Sequence, residues 1–175
     1  GTNNAANSLF VIAFAAPLGI LWIWMNKKKI EPNTIVKFGL AFLFLAGGFY
    51  VFYYTRLFTN AEGVTSLGVF TFGLFVITIG ELCLSPIGMS VMTKLSPLKL
   101  QAVVMGMWFL ASAYGQYFAG LLGANIAEAS SNASNMEKLM IYTEGYKQLG
   151  LYSLIGGGFI IAISPLIRKL MGNVK

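Results

Sequence analysis

The sequence has no histidine, no aspartate and a single cysteine, Cys83. Without histidine there is no imidazole ligand for haem or zinc and no Ser-His-Asp triad. Without aspartate there is no carboxylate dyad of the Asp–Asp kind. One cysteine cannot form a disulfide framework, and no CxxC or CxxCH spacing occurs. Neither a metal nor a cofactor is expected, and most enzyme chemistry is excluded. Charge is also scarce, at 10% of residues against about 25% in an ordinary soluble domain. With 57% hydrophobic residues, the chain cannot cover itself with a hydrated surface. Its expected solvent is lipid. The opening GTNNAANS lacks a basic segment, and lysines rather than a small-residue cleavage site follow the first apolar stretch, so no cleavable signal peptide is expected.

What is present is apolar length. A spanning helix needs about 20 mostly apolar residues, and five stretches qualify: about 7–26, 34–54, 66–93, 100–127 and 148–167. None shows the short alternation of barrel strands, so an all-α membrane protein of five transmembrane helices is expected. The connectors differ in charge. Lys27, Lys28, Lys29, Lys37, Lys94, Lys99, Arg168, Lys169 and Lys175 lie at one set of span ends, with Glu31 as the only acid there. Arg56, Lys138 and Lys147 lie at the other set, with Glu62, Glu128, Glu137 and Glu144. The positive-inside rule then places the N-terminus outside and the C-terminus in the cytoplasm. This asymmetry, together with anionic lipid, accounts for the net +6 charge, and no nucleic-acid partner is expected. The connector from about 128 to 147 reads as polar and external. Its Asn132-Ala133-Ser134 triplet is a formal glycosylation acceptor, a pattern that arises often by chance.

Glu81, in GELCLSPIG, is the one acid inside a span. A charged side chain near the bilayer centre costs roughly 2.5–3.5 kcal/mol on insertion scales. It persists when it faces a cavity, pairs with a cation or takes up a proton. At helical spacing its face carries Thr78, Ser85, Gly88 and Met92, with Ser85 one turn on and within reach of the carboxyl. Pro86 removes the N–H that would bond the carbonyl of Leu82, so a bend is expected there. Acid, hydroxyl and weakened turn together fit a substrate or ion site at a bent helix. The alternative is a static hydrogen bond between helices.

In the fourth span Ala111, Gly115, Ala119 and Gly123 recur at every fourth position, a stripe that suits close helix packing. Trp108 lies inside the span rather than in an interfacial belt, with Ser112 and Gln116 beside it, and suits a pocket wall or gate. Gly156, Gly157 and Gly158 lie within the last span and read as a packing or bending feature. Phe49, Tyr50, Phe52, Tyr53 and Tyr54 are expected to face lipid or its interface. Lys37 and Arg56 are expected to snorkel. Cys83 is expected in the core, and Asn7 either caps the first span or faces a cavity.

Gly80-Glu81-Leu82, Ser85-Pro86-Ile87-Gly88, Lys94-Leu95-Ser96-Pro97, Met105-Gly106-Met107-Trp108-Phe109-Leu110 and Gly115-Gln116 resemble the C-terminal half of proton-dependent oligopeptide transporters, a family of the major facilitator superfamily. The 27-residue spacing from Glu81 to Trp108 agrees with that family. The resemblance implies that the five spans correspond to helices eight to twelve, part of a C-terminal six-helix bundle. It implies a proton-coupled symporter importing di- and tripeptides, in a bacterial inner membrane.

On that resemblance Glu81 couples protons and helps hold the peptide's amino end. Asn7 contacts the peptide, Ser85 stands beside the carboxylate, and Trp108 lines the cavity. Two positions depart from the family pattern: Ser8 stands where proline often follows the asparagine, and Gln116 replaces a common asparagine. The family's ExxER-type motif and the lysine expected opposite Glu81 belong to an N-terminal half not found in this sequence, so the chain is expected to be a fragment that does not transport alone. Two other readings stay open at this point: a facilitator with a non-peptide substrate, and a structural subunit of a membrane complex.

Overall fold

The computed structural model describes residues 2–60, 63–129 and 133–171. Glu62, Asn132 and Lys175 lie outside the described residues. Five long helices follow in order: α1 Thr2–Lys27, α2 Thr34–Tyr54, α3 Leu67–Leu95, α4 Gln101–Ala129 and α5 Asn135–Met171. Single 3₁₀ turns, Thr55–Phe58 and Leu98–Leu100, follow α2 and precede α4. Extended pairing among the described residues is limited to one bridge, Thr59 with Thr65. The shortest helix, α2, has 21 residues, and at 1.5 Å per residue it already reaches about 30 Å, the thickness of a hydrocarbon core.

Among the described residues four segments are both long and apolar enough to cross a membrane: Asn7–Lys27, Thr34–Phe58, Leu67–Leu95 and Asn135–Ile167. The chain is an α-helical membrane protein. α4 is long enough at 29 residues, but Ser112, Gln116 and Asn125, with its glycines and tyrosines, hold its apolarity below that of the others.

α5 differs from expectation at its start. The helix begins at Asn135, more than three turns before Gln148, because a capping box nucleates it in polar sequence. The Ser134 N–H donates to Glu137 Oε2 at 2.8 Å, and the Glu137 N–H donates to Ser134 Oγ at 3.3 Å. The charged residues after it hid this start from a hydropathy reading.

The core lies around α2, which packs against α3 on one side and α5 on the other. At the α2–α5 crossing, a Cβ on Gly39 would lie 2.3 Å from Ile161 Cγ1 and 3.2 Å from the carbonyl oxygen of Gly157. Only residues without a side chain let the two backbones approach so closely, the usual solution where lipid gives no hydrophobic drive to association. Phe52 is buried, contrary to the lipid-facing expectation. It stacks on Phe70 at 4.9 Å and meets Tyr146 at 5.1 Å, filling the space between all three helices. Cys83 is buried as expected. The hydroxyls of Thr78 and Thr143, also buried, donate to the carbonyls of Leu74 and Leu139, so no buried side-chain polar atom is left unpaired among the described residues.

Polar ties hold the ends. Asn33 caps α2 by accepting from the Val36 N–H at 2.8 Å, and its Nδ2 donates to Ser164 Oγ of α5 at 3.1 Å. Lys37 does not snorkel: it is buried, paired with Glu31, and sits 4.6 Å above the Trp22 ring. Asn26 donates to the same Glu31, so α1, the linker and α2 share one polar knot. α1 ends in a Schellman turn, with Ile30 N–H on the Met25 carbonyl and Lys29 N–H on that of Asn26. Lys29 takes the left-handed position, at φ 57°, that glycine usually fills.

Candidate functional site

α1 touches the rest of the chain mainly through α3. Phe10 and Phe14, one turn apart on α1, meet the ring of Phe75 on α3 at 5.7 and 5.0 Å. That aromatic contact sets the register of the two helices, and one turn before Phe10 it brings Asn7 opposite Glu81. Asn7 Nδ2 donates to Glu81 Oε2 at 3.0 Å. Sequence reasoning singled out both residues without foreseeing that they bond each other. An acid inside an apolar span and an amide at the opening of another were the available signal.

Glu81 is exposed on this chain, not enclosed by it. Leu82 and Cys83 beside it are buried, so α3 turns its apolar side to the core and presents the acid on the side away from α2. Ser85 and Pro86 are exposed with it. No hydrogen bond joins Ser85 to Glu81, although the two lie one turn apart. α3 runs unbroken through Pro86, at the cost of a partner for the Leu82 carbonyl.

Two turns beyond Glu81, on the same face, Gly88 receives Trp108. A Cβ on Gly88 would lie 2.2 Å from Cη2 of the indole, so the ring occupies the space a side chain would need. Phe38 of α2 meets the indole edge-on at 6.5 Å. Gln101 Nε2 donates to the Thr93 carbonyl at 3.0 Å, tying the start of α4 to the end of α3 and aiming Trp108 back at Gly88. Gly88 was read only as a member of the Glu81 face; its part as the seat of Trp108 came from the structure. Beyond Trp108, α4 turns outward until Ile126, near its end, meets α5 at Gly145. Ala111, Gly115, Ala119 and Gly123 are all exposed, and nothing lies within 4 Å of a Cβ at Gly115 or Gly123. The stripe therefore packs against no helix among the described residues.

The site is thus a strip on α3 with Asn7 and Glu81 at one end and Trp108 over Gly88 at the other. Seven helical residues separate Glu81 from Gly88, about 10 Å along the axis. The carboxylate accepts hydrogen bonds when ionised and gains a donor when protonated. Asn7 carries both a donor and an acceptor and so can partner either form. Among the described residues no group of His, Cys, Asp or Glu could hold a metal ion.

The sequence profile of the POT family matches residues 4–140. The chain is 34% identical to a peptide transporter, YePEPT, of Yersinia enterocolitica over 98% of its own length and 32% of that protein. It is 31% identical to a di-/tripeptide transporter of Lactococcus lactis subsp. cremoris, covering 97% of this chain and 31% of that one. Its structure superposes on a crystal structure of a POT family transporter in complex with a thioalcohol-conjugated peptide. The TM-score is 0.75 at 27% identity, over 93% of this chain and 30% of that one. The chain spans about a third of the length of the relatives it matches.

Proposed function

The chain belongs to the POT family, and from that premise we propose that it serves a proton-coupled symporter importing di- and tripeptides, of which it forms part of the C-terminal helical bundle. The observation that carries this reading is the strip running from the Asn7–Glu81 hydrogen bond to Trp108. An extended chain advances at most about 3.5 Å per residue, so the roughly 10 Å of the strip matches two or three residues. Glu81 receives the peptide's ammonium group, which offers the donors a carboxylate lacks. Asn7 orients that carboxylate, and Trp108 closes the far end. Ser85, exposed one turn from Glu81, is free to bond the substrate. Protonation of Glu81 in the inward-facing state, by the proton carried in with the peptide, removes the charge that held the ammonium, so that both leave to the cytoplasm.

In this reading the N-terminus is outside, the C-terminus is cytoplasmic, and the protein resides in a bacterial inner membrane. The charge of the connectors supports that orientation. The outward stripe of α4 and the exposed Glu81 face support a cavity completed by the other part of the transporter.

The test of substrate class is competition in proteoliposomes holding the full-length protein. Unlabelled di- and tripeptides are expected to suppress uptake of a labelled dipeptide, whereas free amino acids and a pentapeptide are not. Competition by the pentapeptide equal to that by the dipeptide would contradict the length match.

A further inference from the structure

At the end of the bundle opposite Lys27–Lys29, two cations converge on one tyrosine. Arg56, in the 3₁₀ turn after α2, stacks with its guanidinium 3.9 Å from the centre of the Tyr53 ring and donates to the Tyr53 hydroxyl. Lys147 of α5 places Nζ 5.6 Å from the centre of the same ring. Lys147 has a carboxylate partner, Glu144 at 2.9 Å. Among the described residues Arg56 has no carboxylate in salt-bridge range. Two like charges within one tyrosine's reach repel each other, and among the described residues the one acid paired here, Glu144 on Lys147, leaves the cluster positive. The guanidinium, the ammonium and the phenol all retain unused N–H or O–H donors.

The ring of Tyr54 meets Tyr53 at 5.0 Å, and Tyr54 is also a wall of an apolar groove. The groove holds about 400 Å³ and is lined by Val51, Tyr54, Phe58, Gly68, Val69 and Phe72, between the end of α2 and the start of α3. Tyr50, Tyr53, Tyr54 and Tyr146 gather at this level, as tyrosines do where hydrocarbon meets headgroups. Below Lys147, α5 packs on Tyr50 through Gly150. Above it lies the charged first part of the helix.

We propose that this corner binds an anionic phospholipid, with its phosphate on Arg56, Lys147 and the Tyr53 hydroxyl and one acyl chain in the adjoining groove. The chemistry follows from the two halves of the site. A positive, donor-rich cluster at headgroup depth selects an anion, and a neighbouring apolar groove selects an anion that carries a hydrocarbon tail. The site lies on α2, α3 and α5 away from the Asn7–Glu81 strip, and the inference holds independently of what the protein transports.

Native mass spectrometry of the full-length protein in detergent tests it, with dioleoyl phosphatidylglycerol, dioleoyl phosphatidylcholine and inorganic phosphate as separate probes. The wild type is expected to retain phosphatidylglycerol over phosphatidylcholine. Combining Arg56→Gln with Lys147→Gln should weaken phosphatidylglycerol retention about thirtyfold, with phosphatidylcholine unchanged. Arg56→Lys, which keeps the charge, should retain most of the binding. Val69→Trp, which fills the groove, should lower phosphatidylglycerol retention severalfold. Variants are compared at wild-type elution and unfolding temperature, and Lys27→Gln with Lys28→Gln, at the other end, should have no effect on this preference. Unchanged retention in the double variant would overturn the proposal, as would equal losses in Arg56→Lys and Arg56→Gln. Binding of inorganic phosphate as tight as that of phosphatidylglycerol, with Val69→Trp silent, would reduce the site to a free-anion site and overturn the lipid.

Discussion

Along the α2–α5 seam, Gly39 meets Ile161 and the Gly157 backbone with no room for a Cβ; along α4, Gly115 and Gly123 meet nothing within 4 Å. Both regions are rich in small residues at helical spacing, yet one is a closed contact and the other an open face. The closed region holds the chain together: α2 packs on both α3 and α5, and buried polar groups there are paired. The open region holds the residues of the proposed site: Glu81 and Ser85 are exposed on α3, Asn7 reaches Glu81 from a helix with little other contact, and Trp108 rests on Gly88. Small residues alone do not announce which of the two they will make.

Four substitutions in the full-length protein would break or sharpen this contrast. Gly39→Val should cost most, about 3 kcal/mol, because Ile161 and the Gly157 backbone occupy the space its side chain needs. The drop in thermal unfolding temperature reads it, and an unchanged value would mean that the seam is looser than described. Gly88→Val should cost about 2 kcal/mol by displacing the indole. Combined with Trp108→Ala the two effects should fall short of their sum by about 1 kcal/mol, which a double-mutant cycle measures.

Asn33→Ala removes a helix cap and the tie to Ser164, for about 1 kcal/mol. An equal loss in Ser164→Ala, without further loss in the double variant, would assign the effect to the tie rather than the cap. Gly115→Ala should be the mildest, within about 0.5 kcal/mol, since a single methyl meets nothing on this chain. A larger loss would show that another part of the transporter closes on the stripe.

Much of this arrangement was legible in the sequence, and what was not has identifiable causes. Helix number and order followed from apolar length. The start of α5 did not, because Glu137, Lys138, Glu144 and Lys147 lower hydropathy across a segment that Ser134 and Glu137 nonetheless cap; the S-x-x-E pattern was the overlooked sign. Lys37 read as a snorkelling residue because hydropathy cannot see that Glu31 and Trp22 would enclose it. Phe52 read as lipid-facing because the triangle it fills exists only after three helices meet.

At the site, Glu81 and Trp108 stood out by residue type within apolar spans. The Asn7–Glu81 bond depends on the register set by Phe10, Phe14 and Phe75, a contact between segments about 65 residues apart in the chain that no local pattern encodes. Ser85 was placed within reach of Glu81 by its one-turn spacing, which brings side chains near without orienting them.

The central claim is that Glu81 couples the proton to the peptide. Uptake of a labelled dipeptide into proteoliposomes containing the full-length protein, under an inward proton gradient, tests it most directly when wild type and Glu81→Gln are compared. The glutamine keeps the shape and the bond to Asn7 but cannot take up or release a proton. The account predicts that gradient-driven accumulation is lost in the variant and that peptide-for-peptide exchange persists only at raised peptide concentration, because the charge that holds the ammonium is gone. Accumulation by Glu81→Gln at the wild-type level would contradict it.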